Sequence, residues 1–138
     1  MTEFSLPIRV YIEDTDAGGI VYYVNYLKFI ERARTEYMRS LGLPREAVFN
    51  GEMMFVVAHV AVDYRAPARL DDELQATASL TEMRGASLSL AQAVRRDGEE
   101  LMMASVQLAC VSPASLTPRR IPRDMLAKLR AARNPSGA

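Results

Sequence analysis

The spacing of apolar residues changes period several times along the chain, and each change marks an element. Residues 6–12 are rich in β-branched and aromatic side chains and read as a strand. The cluster that follows, Glu13-Asp14-Thr15-Asp16-Ala17-Gly18-Gly19, breaks regular structure and predicts a tight loop. From about residue 23 to residue 41 the repeat becomes helical: Phe29, Ala33, Tyr37 and Leu41 recur every fourth position, with Ile30 and Met38 in the adjacent stripe. The start of this helix is apolar too, through Ile20, Val21, Tyr22, Tyr23 and Val24, which predicts enclosed N-terminal turns. Gly42 just past its end and Pro44 shortly after provide the stop.

The second half has the period of strands. Over residues 55–66, Val56, Ala58, Val60, Val62 and Tyr64 fall on one face, while His59, Asp63 and Arg65 share the other. Further strands are expected at residues 73–82, 87–95 and 100–112, the last two joined by a hairpin at Asp97-Gly98. In the final strand Met102, Ala104, Val106, Leu108 and Cys110 form an apolar row. Residues 118–122 predict a rigid turn, residues 124–133 a short terminal helix and residues 134–138 a frayed end. No repeat or linker divides this order, so the expectation is a single α+β domain over residues 1–138. A helix with one broad apolar stripe must bury it against the antiparallel strands. The pattern alone does not say whether the sheet wraps the helix or lies flat on it, and it leaves a long strand edge for a second copy to cover.

Charge narrows the partners. With 17 basic and 17 acidic residues, nothing draws the chain to nucleic acid or to an anionic membrane. Residues 1–7 lack a signal-peptide pattern, and no apolar run approaches the roughly 20 residues of a membrane span. The expectation is a cytoplasmic protein without membrane insertion. The single cysteine, Cys110, has no intramolecular disulfide partner, and its apolar setting favours a packed thiol.

The chemistry concentrates where the acidic loop meets the helix. A helix N-terminus presents unpaired N–H groups and a partial positive charge, suited to holding the oxygen of a polarised carbonyl. Gly18 and Gly19 permit close backbone approach to a ligand. A carboxylate at Asp16 beside such an end suffices for attack on a thioester, directly or through an activated water. Acidic residues before Gly-Gly and a helix also serve as an ordinary cap and turn, and the pattern by itself leaves both readings open.

The run from Arg9 through Tyr22, continued by Asn25-Tyr26-Leu27-Lys28-Phe29 and Glu31-Arg32-Ala33-Arg34-Thr35-Glu36, closely resembles the Tol-Pal-associated acyl-CoA thioesterases and the related 4-hydroxybenzoyl-CoA thioesterases. The likeness resumes at Phe55-Val56-Val57 and at Val62-Asp63-Tyr64-Arg65-Ala66-Pro67-Ala68-Arg69-Leu70-Asp71-Asp72, and extends more weakly to Pro122. It implies a hotdog fold, an antiparallel sheet wrapped around a long central helix, with subunits paired into a homodimer or homotetramer. It also implies that Asp16, not its neighbour Asp14, is the nucleophile or general base, and that the backbone N–H of Tyr23 polarises the carbonyl. Gly18, Gly19 and Val24 are the expected substrate contacts around them. One position departs from the Tol-Pal-associated pattern: Tyr23 stands where those members usually have histidine, as in the hydroxybenzoyl-CoA members. No side-chain role carries over from that histidine, whereas a backbone N–H is supplied by any residue but proline.

Acyl-CoA as substrate adds phosphates, for which Arg84, Arg119 and Arg120 are the basic candidates, and Ser87 is a candidate channel residue. His59, the sole histidine, reads as a packing or interface residue because no nucleophile accompanies it. Glu13, Asp14 and Asp16 lack the further spaced oxygen ligands of a calcium loop, so neither a metal nor another cofactor is expected. The leading expectation is thioester hydrolysis of acyl-CoA. Hydrolysis of a carrier-protein thioester is its enzymatic alternative, and an acyl-ligand or cell-envelope-partner binding module, with a Tol-Pal link by resemblance only, is the non-catalytic one.

Overall fold

A computed structural model of the chain describes residues 3–133. Five strands, β1 (Phe4–Arg9), β2 (Met54–Tyr64), β3 (Glu73–Met83), β4 (Ser87–Arg96) and β5 (Glu99–Val111), form one antiparallel sheet in the order β1-β3-β4-β5-β2. Three helices accompany it: α1 (Asn25–Ser40), the short α2 (Arg45–Val48) and α3 (Arg123–Arg133). The architecture is α+β with α1 held against the inner face of the sheet, the hotdog arrangement that the resemblance implies.

The helical stripe buries as its spacing requires. Tyr26, Phe29, Ile30, Ala33, Tyr37 and Met38 of α1 are buried in one continuous core with alternating positions of β3, β4 and β5. Each large side chain removed from water there contributes roughly 1.5–3 kcal/mol, so this stripe decides which face of α1 meets the sheet. A polar pin fixes the docking further. The Gln92 side-chain amide on β4 donates to the carbonyls of Ile30 (2.8 Å) and Thr77 (3.0 Å), while its oxygen accepts from Arg34 of α1 (3.0 Å). Gln92 is only 3% exposed. Unmade, such buried bonds would be costly, so this one residue sets the position of α1 along the strands. Arg34 therefore points into the fold, not into the solvated polar side of the helix that its charge suggests.

Several boundaries differ from the expectation, each for an identifiable reason. β1 begins earlier and ends at Arg9, because its pairing partner β3 begins at Glu73. The chain then makes a 3-10 turn, Ile12–Asp14, instead of continuing as strand. In β2 the register slips between Val57 and His59, a bulge at Ala58 that reverses the alternation. The residues sharing a face with Cys110, Leu108, Val106, Ala104 and Met102 are consequently Phe55, Val57, Val60, Val62 and Tyr64. Val56 and Ala58 drop out of the expected inner row, while His59 and Asp63 remain together on the other face. The Asp97-Gly98 hairpin forms as expected, with positive φ at both residues (50° and 84°) as a tight two-residue turn demands. Cys110 is fully buried in its apolar row. The end predicted to fray, residues 134–138, lies outside the described residues.

β2 is an edge strand of 11 residues, and along it Val57, Val60 and Tyr64 remain 51%, 38% and 46% exposed. Such a long apolar edge is the feature that proteins normally cover or pair.

Candidate active site

Between β1 and α1 the loop is organised by two aspartates with different jobs. Asp14 is buried; its carboxylate accepts the N–H of Tyr11 (2.9 Å) and the side-chain amide of Asn25 (3.0 Å), and its carbonyl accepts the N–H of Tyr22 (3.0 Å). It latches the exit of β1 to the first turn of α1. Asn25 had no separate assignment from the sequence; its pairing with Asp14 is visible only once the loop folds back.

Asp16 is exposed in the single chain and anchors a tight turn. Its N–H donates to Ile20 (3.0 Å), its carbonyl accepts from Gly19 (3.1 Å), and its Oδ1 accepts the N–H of Gly18 (2.8 Å). The last bond is the local side-chain-to-backbone pattern that aspartate makes in turns, and it fixes the carboxylate's direction. A Cβ at residue 18 would stand 3.3 Å from that Oδ1, so glycine there leaves the carboxylate its room. Gly19 has φ of +76°, which only glycine adopts without strain. The far side of the turn is stitched to the segment before β3: Val21 donates to Ala68 (2.8 Å) and Leu70 donates to Gly19 (3.1 Å).

At the start of α1 the sequence expected a helix from about Tyr23, enclosed by the fold. The helix begins at Asn25, with Val24 as its cap, and Tyr22 and Tyr23 are 47% and 59% exposed. These apolar residues precede the helix and are left open by the chain itself. No side chain caps this end. The backbone N–H groups of Tyr23 and Val24 have no partner among the described residues. They are the unpaired donors that a helix start offers to an oxygen. The peptide between them is oriented by Tyr64 of β2, whose hydroxyl donates to the Tyr23 carbonyl (2.9 Å). Tyr26 supports the same corner by accepting the N–H of Ala68 (2.8 Å), and its ring meets that of Tyr64 at 5.5 Å. Burial raises the Tyr26 and Tyr64 phenols above their ordinary value. The Tyr22 phenol is raised chiefly by its hydrogen bond with Tyr23. These rings therefore stay neutral near pH 7 and serve as donors and packing surfaces, not as bases. Tyr64 acts at this corner, yet the sequence marks it only as one more apolar-row residue.

Hollows run from this corner along the exposed side of α1. One of about 280 Å³ lies between Tyr23, Tyr26 and Tyr64. A second, about 230 Å³, is walled by Val24, Leu27, Ile30, Val57, Val60 and Val106. A third, about 640 Å³ and mostly apolar, continues between the later turns of α1, α2 and Phe55 to Val57 of β2. Tyr23 and Val24 thus stand at the head of an apolar groove, and Asp16, Gly18 and Gly19 lie in the loop that leads into them.

The other expected substrate contacts are not brought there. Arg84 and Ser87 flank the β3–β4 turn, and Arg120 lies against Gly85 in that turn, at the far end of the sheet. With β3 spanning Glu73–Met83, the separation is on the order of 30 Å. Arg119, also at that end, faces Glu52 at 3.7 Å.

Comparison with known proteins bears on the family and the fold. Residues 18–103 match the model of the thioesterase superfamily. The acyl-CoA thioester hydrolase YbgC of Escherichia coli is 43% identical over 130 residues, 94% of this chain and 97% of that protein. The acyl-CoA thioesterase YbgC of Haemophilus influenzae is 42% identical over 125 residues, 90% and 92% of the two chains. Among solved structures, a probable thioesterase from Bartonella henselae superposes with a TM-score of 0.83 at 30% identity, covering 88% of this chain and 100% of the other. A hypothetical protein from Thermus thermophilus gives 0.85 at 27% identity, with 95% and 98% covered. An exposed loop carboxylate, unpaired N–H groups at a helix start and a matched stretch running from Gly18 across α1 into β5 lead to one assignment: the chain belongs to the thioesterase superfamily.

Proposed function

We propose that this protein hydrolyses acyl-CoA thioesters, with Asp16 supplying the carboxylate and the start of α1 supplying the oxyanion donor. The observation that carries this reading is the juxtaposition, within one loop, of an Asp16 carboxylate held by Gly18 and the unpartnered N–H groups of Tyr23 and Val24. The thioester carbonyl oxygen sits at the Tyr23 N–H, which stabilises the negative charge as the carbon becomes tetrahedral. The apolar groove beginning at Val24 accepts the acyl chain. In the general-base route Asp16 takes a proton from water, the water oxygen bonds to the acyl carbon, and the C–S bond breaks. The coenzyme leaves as thiolate and the acid is released. In the covalent route the Asp16 oxygen bonds first to the acyl carbon, the C–S bond breaks with departure of the coenzyme as thiolate, and water then hydrolyses the anhydride to the free acid and the Asp16 carboxylate. Both routes need the same carboxylate; oxygen-18 from water entering Asp16 during a single turnover identifies the covalent one.

The assembly belongs to the same proposal. The exposed β2 edge, with Val57 and Val60 beside an open apolar groove, suits pairing with a second copy as a homodimer or homotetramer. Such pairing would enclose the helix start that the single chain leaves exposed. It would also be required for Arg84, Ser87, Arg119 or Arg120 to approach a coenzyme bound at another copy's Asp16. Sedimentation of the natural protein beside the Val57→Lys, Val60→Lys variant tests this. A monomeric natural protein, or a variant whose assembly is unaltered, would remove β2 from the interface. Among the described residues no helix is long and apolar enough to cross a membrane. A cytoplasmic location follows from the substrate proposed, and a Tol-Pal association rests on resemblance, to be tested by co-purification.

The deciding experiment is steady-state thiol release from short, long and aromatic acyl-CoA thioesters by the natural protein and Asp16→Asn. Hydrolysis of one substrate class, abolished by the substitution, is the expected result. A folded natural protein that releases no thiol from any coenzyme A thioester would overturn the reading, and carrier-linked thioesters then test the alternative enzyme.

A further inference from the structure

One charge interrupts the apolar groove that starts at Val24. The first hollow, about 230 Å³, and the larger one beyond it, about 640 Å³, share three lining residues: Glu31, Arg34 and Val57. The other walls of the first hollow, Lys28 aside, are apolar. Lys28 and Glu31 are exposed, and long side chains of this kind keep their charged ends in water. Arg34 is half-buried and cannot withdraw in the same way, because its Nη1 donates to Gln92 Oε1 (3.0 Å). The Gln92 amide donates in turn to the carbonyls of Ile30 (2.8 Å) and Thr77 (3.0 Å), which holds the guanidinium at the level of the Ile30 turn. Helical side chains lean back toward the N-terminus, so residue 34 reaches that level naturally. No carboxylate of a described residue forms an ion pair with it. Burial lowers the Arg34 pKa and Glu31 offsets only part of that, yet an arginine remains charged near pH 7.

A methylene chain running past this point would strip water from a charged group and offer its remaining N–H donors no acceptor, which is a net cost. Short of this point, every methylene that enters the first hollow leaves water for apolar walls and gains. The available length follows from the helix: Val24 to Ile30 at 1.5 Å per residue is about 9 Å of groove. With C–C bonds of about 1.5 Å at near-tetrahedral angles, each methylene advances about 1.25 Å, so about seven carbons fit beyond the thioester carbonyl. We infer that Arg34, pinned by Gln92, is the stop that sets acyl-chain length: it confines the acyl group to the first hollow and keeps the larger one out of the acyl site. The substrate class is then a short to medium acyl group, up to about octanoyl, and not a long-chain one. The identity of this guest rests on the acyl-CoA reading; the pinned charge between the two hollows does not.

The test is kcat/KM across saturated acyl-CoA thioesters from butyryl to palmitoyl, for the natural protein, Arg34→Met and Arg34→Lys. In the natural protein kcat/KM should climb as far as about octanoyl and then level or fall. Methionine keeps the reach without the charge and joins the two hollows. Since each newly buried methylene is worth about fourfold, the ratio of dodecanoyl to octanoyl kcat/KM should rise at least about tenfold in Arg34→Met. Lysine keeps a charge that Gln92 Oε1 can accept, so Arg34→Lys should hold the natural ratio. A purely structural role for Arg34 would lower both rates together and leave the ratio alone. A natural protein that takes dodecanoyl-CoA as well as octanoyl-CoA, or an Arg34→Met protein with an unchanged ratio, would overturn the stop. Should Arg34→Met fail to fold, the natural profile decides: a break near octanoyl sustains the stop, and a continued rise removes it. If the folded natural protein hydrolyses no thioester, the acyl-CoA reading fails, and calorimetric titration with free octanoate and dodecanoate still reads the groove. Dodecanoate binding that tightens in Arg34→Met relative to octanoate keeps the stop; equal binding, or none, removes it.

Discussion

Asp14 and Asp16 stand two residues apart in one loop, and the structure gives their replacements opposite signatures. The Asp14 carboxylate is buried and accepts two hydrogen bonds, from the Tyr11 N–H and the Asn25 amide. Alanine there leaves both donors short of a partner, at a cost of about 2–4 kcal/mol for a charged acceptor in that setting. For a domain of this size each kcal/mol lowers the thermal midpoint by roughly 3–5 °C, so Asp14→Ala should melt roughly 6–20 °C below the natural protein. Its kcat should fall as well, because the latch positions the start of α1. Asp16, by contrast, is exposed, and its side chain accepts only the Gly18 N–H at 2.8 Å. Asparagine retains that acceptor oxygen and loses the base, so Asp16→Asn should melt within about 2 °C of the natural protein while kcat drops on the order of 10²–10⁴-fold. Scanning calorimetry and thiol-release kinetics on both variants, at one protein concentration because assembly shifts the midpoint, decide the matter. An Asp14→Ala protein as stable as Asp16→Asn, or an Asp16→Asn protein with a tenth or more of natural activity, would refute the division of labour.

Three further outcomes are expected. Tyr64→Phe removes the hydroxyl that fixes the Tyr23 carbonyl, and with it about 1 kcal/mol of orientation, so kcat should fall about fivefold with KM little changed; an unaltered kcat would show that Tyr23 needs no such support. For Asp72, burial pushes the carboxyl pKa up, but the Arg69 N–H and the Arg96 guanidinium outweigh it and hold the group below its ordinary value. The unfolded chain therefore binds the proton more readily. The stabilisation is fully present above the unfolded value near 3.8 and is lost as pH falls through the depressed folded one, so Asp72→Asn should flatten the acid limb of a urea-melt stability profile. Burial likewise raises the Cys110 thiol, only partly offset by Arg119. The native protein should resist iodoacetamide and take up one label on unfolding, read by mass spectrometry. Rapid native labelling would show that β5 opens.

The elements were legible because their causes are local. The fourfold spacing from Phe29 to Tyr37 and the Asp97-Gly98 hairpin each depend on a few neighbouring residues, and each reappears in the fold. The ends of elements were less legible, since they depend on partners distant in the chain. β1 stops where β3 has nothing left to pair, and the inner row of β2 shifts because β5 imposes a bulge at Ala58. Helicity at Tyr23 and Val24 was overestimated because their apolar character suggested an enclosed turn, whereas Tyr23 stays 59% exposed and Val24 only half-buried.

The site divides in the same way. By itself the sequence determined that a carboxylate loop with two glycines leads into a helix, and the resemblance singled out Asp16 and the Tyr23 backbone within it. That much depends on residues adjacent along the chain, whose geometry is settled by turn and helix rules. Only the tertiary structure decided that Asp14 is a latch, that Tyr64 orients the peptide after Tyr23, and that Arg84 and Ser87 lie far from the Asp16 of their own chain. These placements follow from strand order and register. β2 crosses to pair with β5, bringing Tyr64 beside α1, and the full length of β3 separates the Asp16 loop from the β3–β4 turn. Pairing between distant segments is set by burial summed over the whole core, which no short stretch of sequence contains.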